Sequence, residues 1–112
     1  MCRKPEINAI LNTFTHGICE LFGDRLISVI LFGSYARGDF DDDSDIDVMI
    51  LVDIPREELY KYRRQITRIA NMADWDYTTL LSPTITNADE FAKYKNALPF
   101  FRNVDTQGVL LV

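Results

Sequence analysis

Two short apolar runs, Leu26–Phe32 (LISVILF) and Asp45–Val52 (DIDVMILV), stand only a dozen residues apart, and this spacing constrains the fold more than any other feature. Both are rich in β-branched residues and too short for buried helices, so they read as strands. The link between them is too short for a parallel crossover, so the two strands are expected to pair antiparallel. Beyond Asp47 the second run is apolar at every position, so both of its faces are expected to be covered.

The remaining elements follow from period and punctuation. Pro5 and Glu6 open a helix whose stripe is Ile7, Ile10, Leu11, Phe14, Ile18, Leu21 and Phe22, capped at Gly23. Ser34–Arg37 fits one short helical turn after Gly33. Pro55 opens a further helix, with Glu57 and Glu58 in its first turn and Leu59, Tyr62, Ile66, Ile69 and Ala73 on one stripe. Trp75–Leu81 is expected to form a third strand, stopped by Ser82-Pro83. Thr86 or Asn87 caps a helix holding Phe91 and Tyr94; Leu98–Val104 is a short helix or turn; Val109–Val112 adds an edge strand after Gly108. The linker between the second and third strands has the length of a right-handed parallel crossover. The expected fold is therefore α/β (α+β): a small mixed β-sheet flanked by helices, with residues 1–112 as one unit.

Composition narrows the function. Twelve Lys and Arg face 17 Asp and Glu in 112 residues, a net charge of −5, which argues against direct binding to a nucleic-acid backbone. The only cysteines, Cys2 and Cys19, form no metal-ligand spacing and read as free thiols of a reducing compartment. No apolar run suggests a secretory leader or a membrane span, so a cytoplasmic protein is expected.

Six aspartates crowd between residues 39 and 47. Asp41, Asp42 and Asp43 read as a solvated loop. Asp45 and Asp47 differ, because they alternate with Ile46 and Val48 and project from one face of a buried strand. Two carboxylates about 5 Å apart repel by roughly 3 kcal/mol at an effective dielectric near 20. The strand carries no Lys or Arg to offset this, and oxygen donors suit Mg2+ or Mn2+. An EF-hand does not fit, since Ile46 and Val52 occupy its glycine and glutamate positions. Asp76, at the head of the expected third strand, would join the pair at one end of the sheet; Asp74 is its competitor.

Upstream, Gly33-Ser34 ends a strand and begins a helical turn, an arrangement whose amides and hydroxyl suit an anion. GSYARG matches the first half of a P-loop, but Asp39 and Phe40 follow where Lys and Ser or Thr are needed. Arg37 either neutralises the acidic loop or contacts phosphate. Tyr35 could face the site or pack on its neighbours. Tyr60, Tyr62, Tyr77, Tyr94, Phe100 and Phe101 read as core or interface packing, with an exposed apolar patch at Leu98–Phe101 as a docking surface.

Taken together, Gly33-Ser34, Arg37-Gly38 and Asp45-Ile46-Asp47 resemble the GSxARG…SDxD signature of the polymerase-β-like nucleotidyltransferases, in their minimal nucleotidyltransferase branch. The likeness is strongest over residues 26–53. It implies the polymerase-β-like fold as a single nucleotidyltransferase domain. It implies that Asp45, Asp47 and Asp76 are catalytic and hold two Mg2+ ions, and that Gly33, Ser34 and Arg37 bind the triphosphate of ATP. Chains of this branch resemble the antitoxins of paired systems whose toxin is a helical HEPN protein. The implied activity is AMP transfer from ATP to a tyrosine hydroxyl of that partner. Transfer to a small molecule such as an aminoglycoside, and a non-catalytic nucleotide-binding module, are the alternatives; a homo-oligomer is left open.

Overall fold

The computed structural model describes residues 4–41, 44–75, 77 and 79–112. Helix α1 (Lys4–Phe22) ends at Gly23, whose φ of +55° reverses the chain into a 3-10 turn, Gly23–Arg25. Strand β1 (Leu26–Phe32) then leads into the single turn α2 (Ser34–Arg37), and β2 (Ile46–Val52) returns beside it. A 3-10 segment, Arg56–Tyr62, precedes α3 (Arg63–Ala73); β3 (Leu81–Asn87), α4 (Ala88–Tyr94), α5 (Pro99–Gln107) and β4 (Val109–Leu110) complete the chain. The expected helix from Pro55 to Ala73 is thus split, its first half wound more tightly.

The four strands lie in the order β3-β2-β1-β4. As the connection lengths imply, β1 and β2 are antiparallel and β2 and β3 are parallel. Alternation along β2 divides the core. Ile46, Val48, Ile50 and Val52 face α1 and α3, where they meet Ile10, Phe14, Ile18 and Ile66. Met49 and Leu51 face the other way, toward Phe91 of α4 and Val104 of α5. Being covered on both sides explains why β2 tolerates no polar residue past Asp47.

The third strand departs from the expected one. It runs from Leu81 to Asn87, not from Trp75 to Leu81. Trp75 is 80% exposed and Leu80 58%, while Thr79 and Leu81 are buried and Tyr77 packs against the core, so the described residues of the run do not bury in the alternation a strand would give. Ser82-Pro83 lies inside the strand instead of stopping it. The Ile46 amide donates to the Leu80 carbonyl at 2.9 Å, which points the carbonyls of residues 80 and 82 toward β2 and the nitrogens of 81 and 83 toward the open edge. Pro83, lacking an N–H, sits where none is needed. The Leu81 amide on that edge donates instead to Asp74 Oδ2 at 2.9 Å. Asn87 caps α4, its side chain accepting the Glu90 amide at 2.9 Å. Among the described residues no helix is long and apolar enough to cross a membrane.

Candidate active site

The pairing of β1 with β2 sets Phe32 opposite Asp47, so Gly33 arrives beside the Asp47 carboxylate. Gly33 has φ +76° and ψ −156°, backbone that side chains disfavour. A Cβ on it would collide with Asp47 Oδ2 and lie 3.3 Å from Cγ. Only glycine lets β1 turn this close to the carboxylate. Its carbonyl then accepts the amides of Ala36 and Arg37, both at 3.1 Å, and Gly38 closes the turn at φ +83°.

Asp47 is half-buried at the head of β2 and Asp45 is exposed two residues earlier. Burial raises the Asp47 carboxyl above the ordinary aspartate range; the neighbouring Asp45 raises it further, while Arg37 pulls the other way. The two charge influences place Asp45, Asp47 and Arg37 in one electrostatic unit. Arg37 Nε also donates to Asp39 Oδ2 at 3.1 Å, with both side chains exposed. The structure therefore brings Gly33, Ser34, Arg37, Asp45 and Asp47 to one end of the sheet. Asp42, Asp43 and Asp76 lie outside the described residues. Asp76 is expected beside the pair only at the head of a strand that begins at residue 75, whereas β3 begins at Leu81. Asp74, the competitor, is buried and committed to the outer edge of β3, away from β2.

Does this donor set suit a divalent cation? Two neighbouring carboxylates, one of them resisting ionisation because of burial and its neighbour, are what a hard cation would relieve. Among the described residues no third His, Cys, Asp or Glu joins them. The set thus fits part of an oxygen shell, and nucleotide phosphates are the natural remainder.

Two features escaped the sequence reading. Ser82 of β3 is the register partner of Asp47. A cavity of about 190 Å³ opens beside the glycine turn, lined by Phe32, Gly33 and Arg37 and by Phe100, Asn103, Val104 and Gln107 of α5. Helical spacing of these α5 positions was the available signal for the second. Phe100 meets Phe32 edge-on at 5.5 Å between centroids and remains 48% exposed, and Leu98 is 46% exposed, so the expected apolar patch is present, although Phe101 turns inward onto Phe91. Tyr35 stacks on Phe40 at 4.3 Å, bracing the turn. A larger cavity, about 720 Å³, lies on the outer side of α1 and α3 beside Met72 and Trp75; none of the site residues lines it. Cys19 is a free thiol, and Cys2 lies outside the described residues.

Comparison with known proteins bears on this site. The family model described as a nucleotidyltransferase domain matches residues 11–100. A Methanocaldococcus jannaschii protein provisionally named a protein adenylyltransferase is 44% identical over 107 residues, covering 93% of this chain and 97% of its own. A second protein of that organism, with the same provisional name, is 41% identical over 101 residues, covering 90% of this chain and 93% of its own. The protein adenylyltransferase MntA of Thermococcus cleftensis is 44% identical over 50 residues, 45% of this chain and 48% of its own. Among solved structures, a Sulfolobus solfataricus protein provisionally described as a nucleotidyltransferase superposes with a TM-score of 0.61 at 20% identity, covering 94% of this chain and 80% of that one, a likeness of fold.

Proposed function

Because the chain belongs to the nucleotidyltransferase domain family, we propose that it transfers AMP from ATP to a side-chain hydroxyl of a partner protein. The observation that carries this is the packing of the Gly33 turn against Asp47, with Asp45 just before the strand and near enough for its charge to act on Asp47. A triphosphate on the turn would set its α-phosphate near the carboxylates. Gly33 and Ser34 take the β- and γ-phosphates, the backbone amides of the turn donating to oxygen, and Arg37 leaves Asp39 to meet the same charge. Asp45 and Asp47 hold Mg2+, or Mn2+, with the nucleotide. When bound, the ion offsets phosphate charge and acidifies the attacking hydroxyl. The acceptor oxygen forms a bond to the α-phosphorus, the bond from that phosphorus to the bridging oxygen of pyrophosphate breaks, and the hydroxyl proton passes to a carboxylate or to water. Asp76 is proposed as a third carboxylate on sequence grounds alone and carries no step here.

A protein acceptor is supported by the provisional names of relatives that match this chain over nearly their whole length. The acceptor we propose is the tyrosine of a HEPN toxin, with this chain its cytoplasmic antitoxin. One observation favours a second reading, a nucleotide-binding partner that does not transfer: β3 presents Ser82, not an acid, beside Asp47. Incubation with Mg2+, ATP labelled at the α-phosphate and the protein encoded beside this one separates the two. Label on a tyrosine of the neighbour, lost in Asp47→Asn, supports transfer; a stable complex without label, indifferent to Asp47→Asn, contradicts it.

A further inference from the structure

The parallel ladder sets Ile46 opposite Leu81 and Asp47 opposite Ser82. Paired residues on neighbouring parallel strands project from the same face, with strands about 4.8 Å apart. Ile46 and Leu81 both enter the core under α1 and α3, so Asp47 and Ser82 both face the opposite side. Asp45 lies one residue before β2, and the carbonyl of Leu80, one residue before β3, accepts the Ile46 amide. Strand β3 carries no acidic residue anywhere along its length. The ladder position that could close a third side around a cation bound to Asp45 and Asp47 is therefore an exposed alcohol.

An alcohol is neutral at pH 7 and donates or accepts hydrogen bonds, but it adds no charge to an ion's shell. Among the described residues two carboxylates stand at the site, enough to balance a divalent ion without supplying its ligand number; phosphate oxygens of a bound nucleotide can supply the rest. We propose that Ser82 is the third wall of the ion site, and that a hydroxyl there makes the site bind a divalent cation together with the nucleotide and only weakly without it. The proposal rests on the reading of Asp45 and Asp47 as ion ligands.

Mn2+ titrations followed by the electron paramagnetic resonance of the free ion test it, with and without a non-hydrolysable ATP analogue. The wild-type protein is expected to hold Mn2+ weakly alone and more tightly with the analogue. Ser82→Asp should tighten binding in the absence of nucleotide by about tenfold or more, since affinity at such sites follows the charge of the ligand set. Thr84→Asp, one row along the same face, should leave it unchanged. Should Ser82→Asp fail to fold, Ser82→Cys with Cd2+ gives an independent readout: a thiolate-to-metal ultraviolet band above the wild-type background, lost when Asp47→Asn is added. Equal Mn2+ affinity in wild type and Ser82→Asp, an effect shared by Thr84→Asp, or no Cd2+ band in Ser82→Cys would overturn the proposal. Binding of Mn2+ with the analogue that survives Asp47→Asn intact would overturn the reading of the site itself, a result separable from the others.

Discussion

Gly33 and Asp47 are fitted to each other so closely that the turn has no room for a Cβ beside the carboxylate. Gly38, at the other end of α2, has a similar positive φ but open space around it. The two glycines thus separate backbone strain from collision. Gly38→Ala should cost about 1 kcal/mol from backbone strain alone. Gly33→Ala adds displacement of Asp47 and should cost about 2–3 kcal/mol, with nucleotide binding lost. Urea unfolding of both variants checks this; equal losses would mean that the close approach carries no energetic weight.

The raised Asp47 carboxyl predicts an unusual pH response of metal-free protein. A carboxyl raised on folding favours the protonated folded state. Its contribution is fully present below the ordinary aspartate range and is lost as pH rises through the raised value. At neutral pH the folded protein therefore carries an unfavourable charge that Asp47→Asn removes. Asp47→Asn should be the more stable protein at pH 7, and its advantage should vanish below about pH 3.9, where both states of the wild type are protonated. An advantage that persists unchanged into acid would contradict the assigned cause.

Asp74 is assigned to structure. Its buried carboxylate accepts the edge amide of Leu81, the residue where β3 begins. Asp74→Ala leaves that amide without its partner and should destabilise the fold by about 1–3 kcal/mol. Asp74→Asn, which keeps an acceptor oxygen, should recover part of the loss. Mn2+ binding with an ATP analogue should be retained in both. Calorimetry of unfolding and of binding, run on the same variants, reads the two effects apart.

Arg37 should behave oppositely. Its ion pair with Asp39 is exposed on both sides, and such pairs contribute about 0–1 kcal/mol. Arg37→Ala should leave the melting temperature nearly unchanged and weaken binding of an ATP analogue severalfold, with binding of adenosine alone unaffected. A matched fall for adenosine would place Arg37 away from the phosphates.

How much of this was legible in the sequence depends on which residues announce themselves locally. Leu26–Phe32 is found to the residue and the second strand to within one, because apolar β-branched runs bounded by glycine and aspartate have few alternative readings. Of the two expected caps, Thr86 and Asn87, Asn87 is the one that caps α4. The third strand was misplaced because Trp75, Tyr77 and Leu80 look buried and Pro83 looks like a stop. Trp75 and Leu80 prove exposed while Tyr77 packs against the core, and Pro83 is tolerated because its nitrogen faces an open edge, a parity that exists only in the paired sheet. The site shows the same division. Gly33, Ser34, Arg37, Asp45 and Asp47 are close in sequence and meet across one β1–β2 pairing. Ser82 acquires its place only through the β2–β3 register, and a lone serine in a strand gives no earlier sign.

The central claim is that Asp45 and Asp47, beside the Gly33 turn, carry AMP transfer to a protein. Mass spectrometry of the neighbouring encoded protein after incubation with ATP and Mg2+ tests it most directly. The account predicts an added AMP on a hydroxyl side chain with the wild-type protein and none with Asp45→Asn or Asp47→Asn. AMP added equally by the variants, or a bound partner that never gains it, would contradict the account.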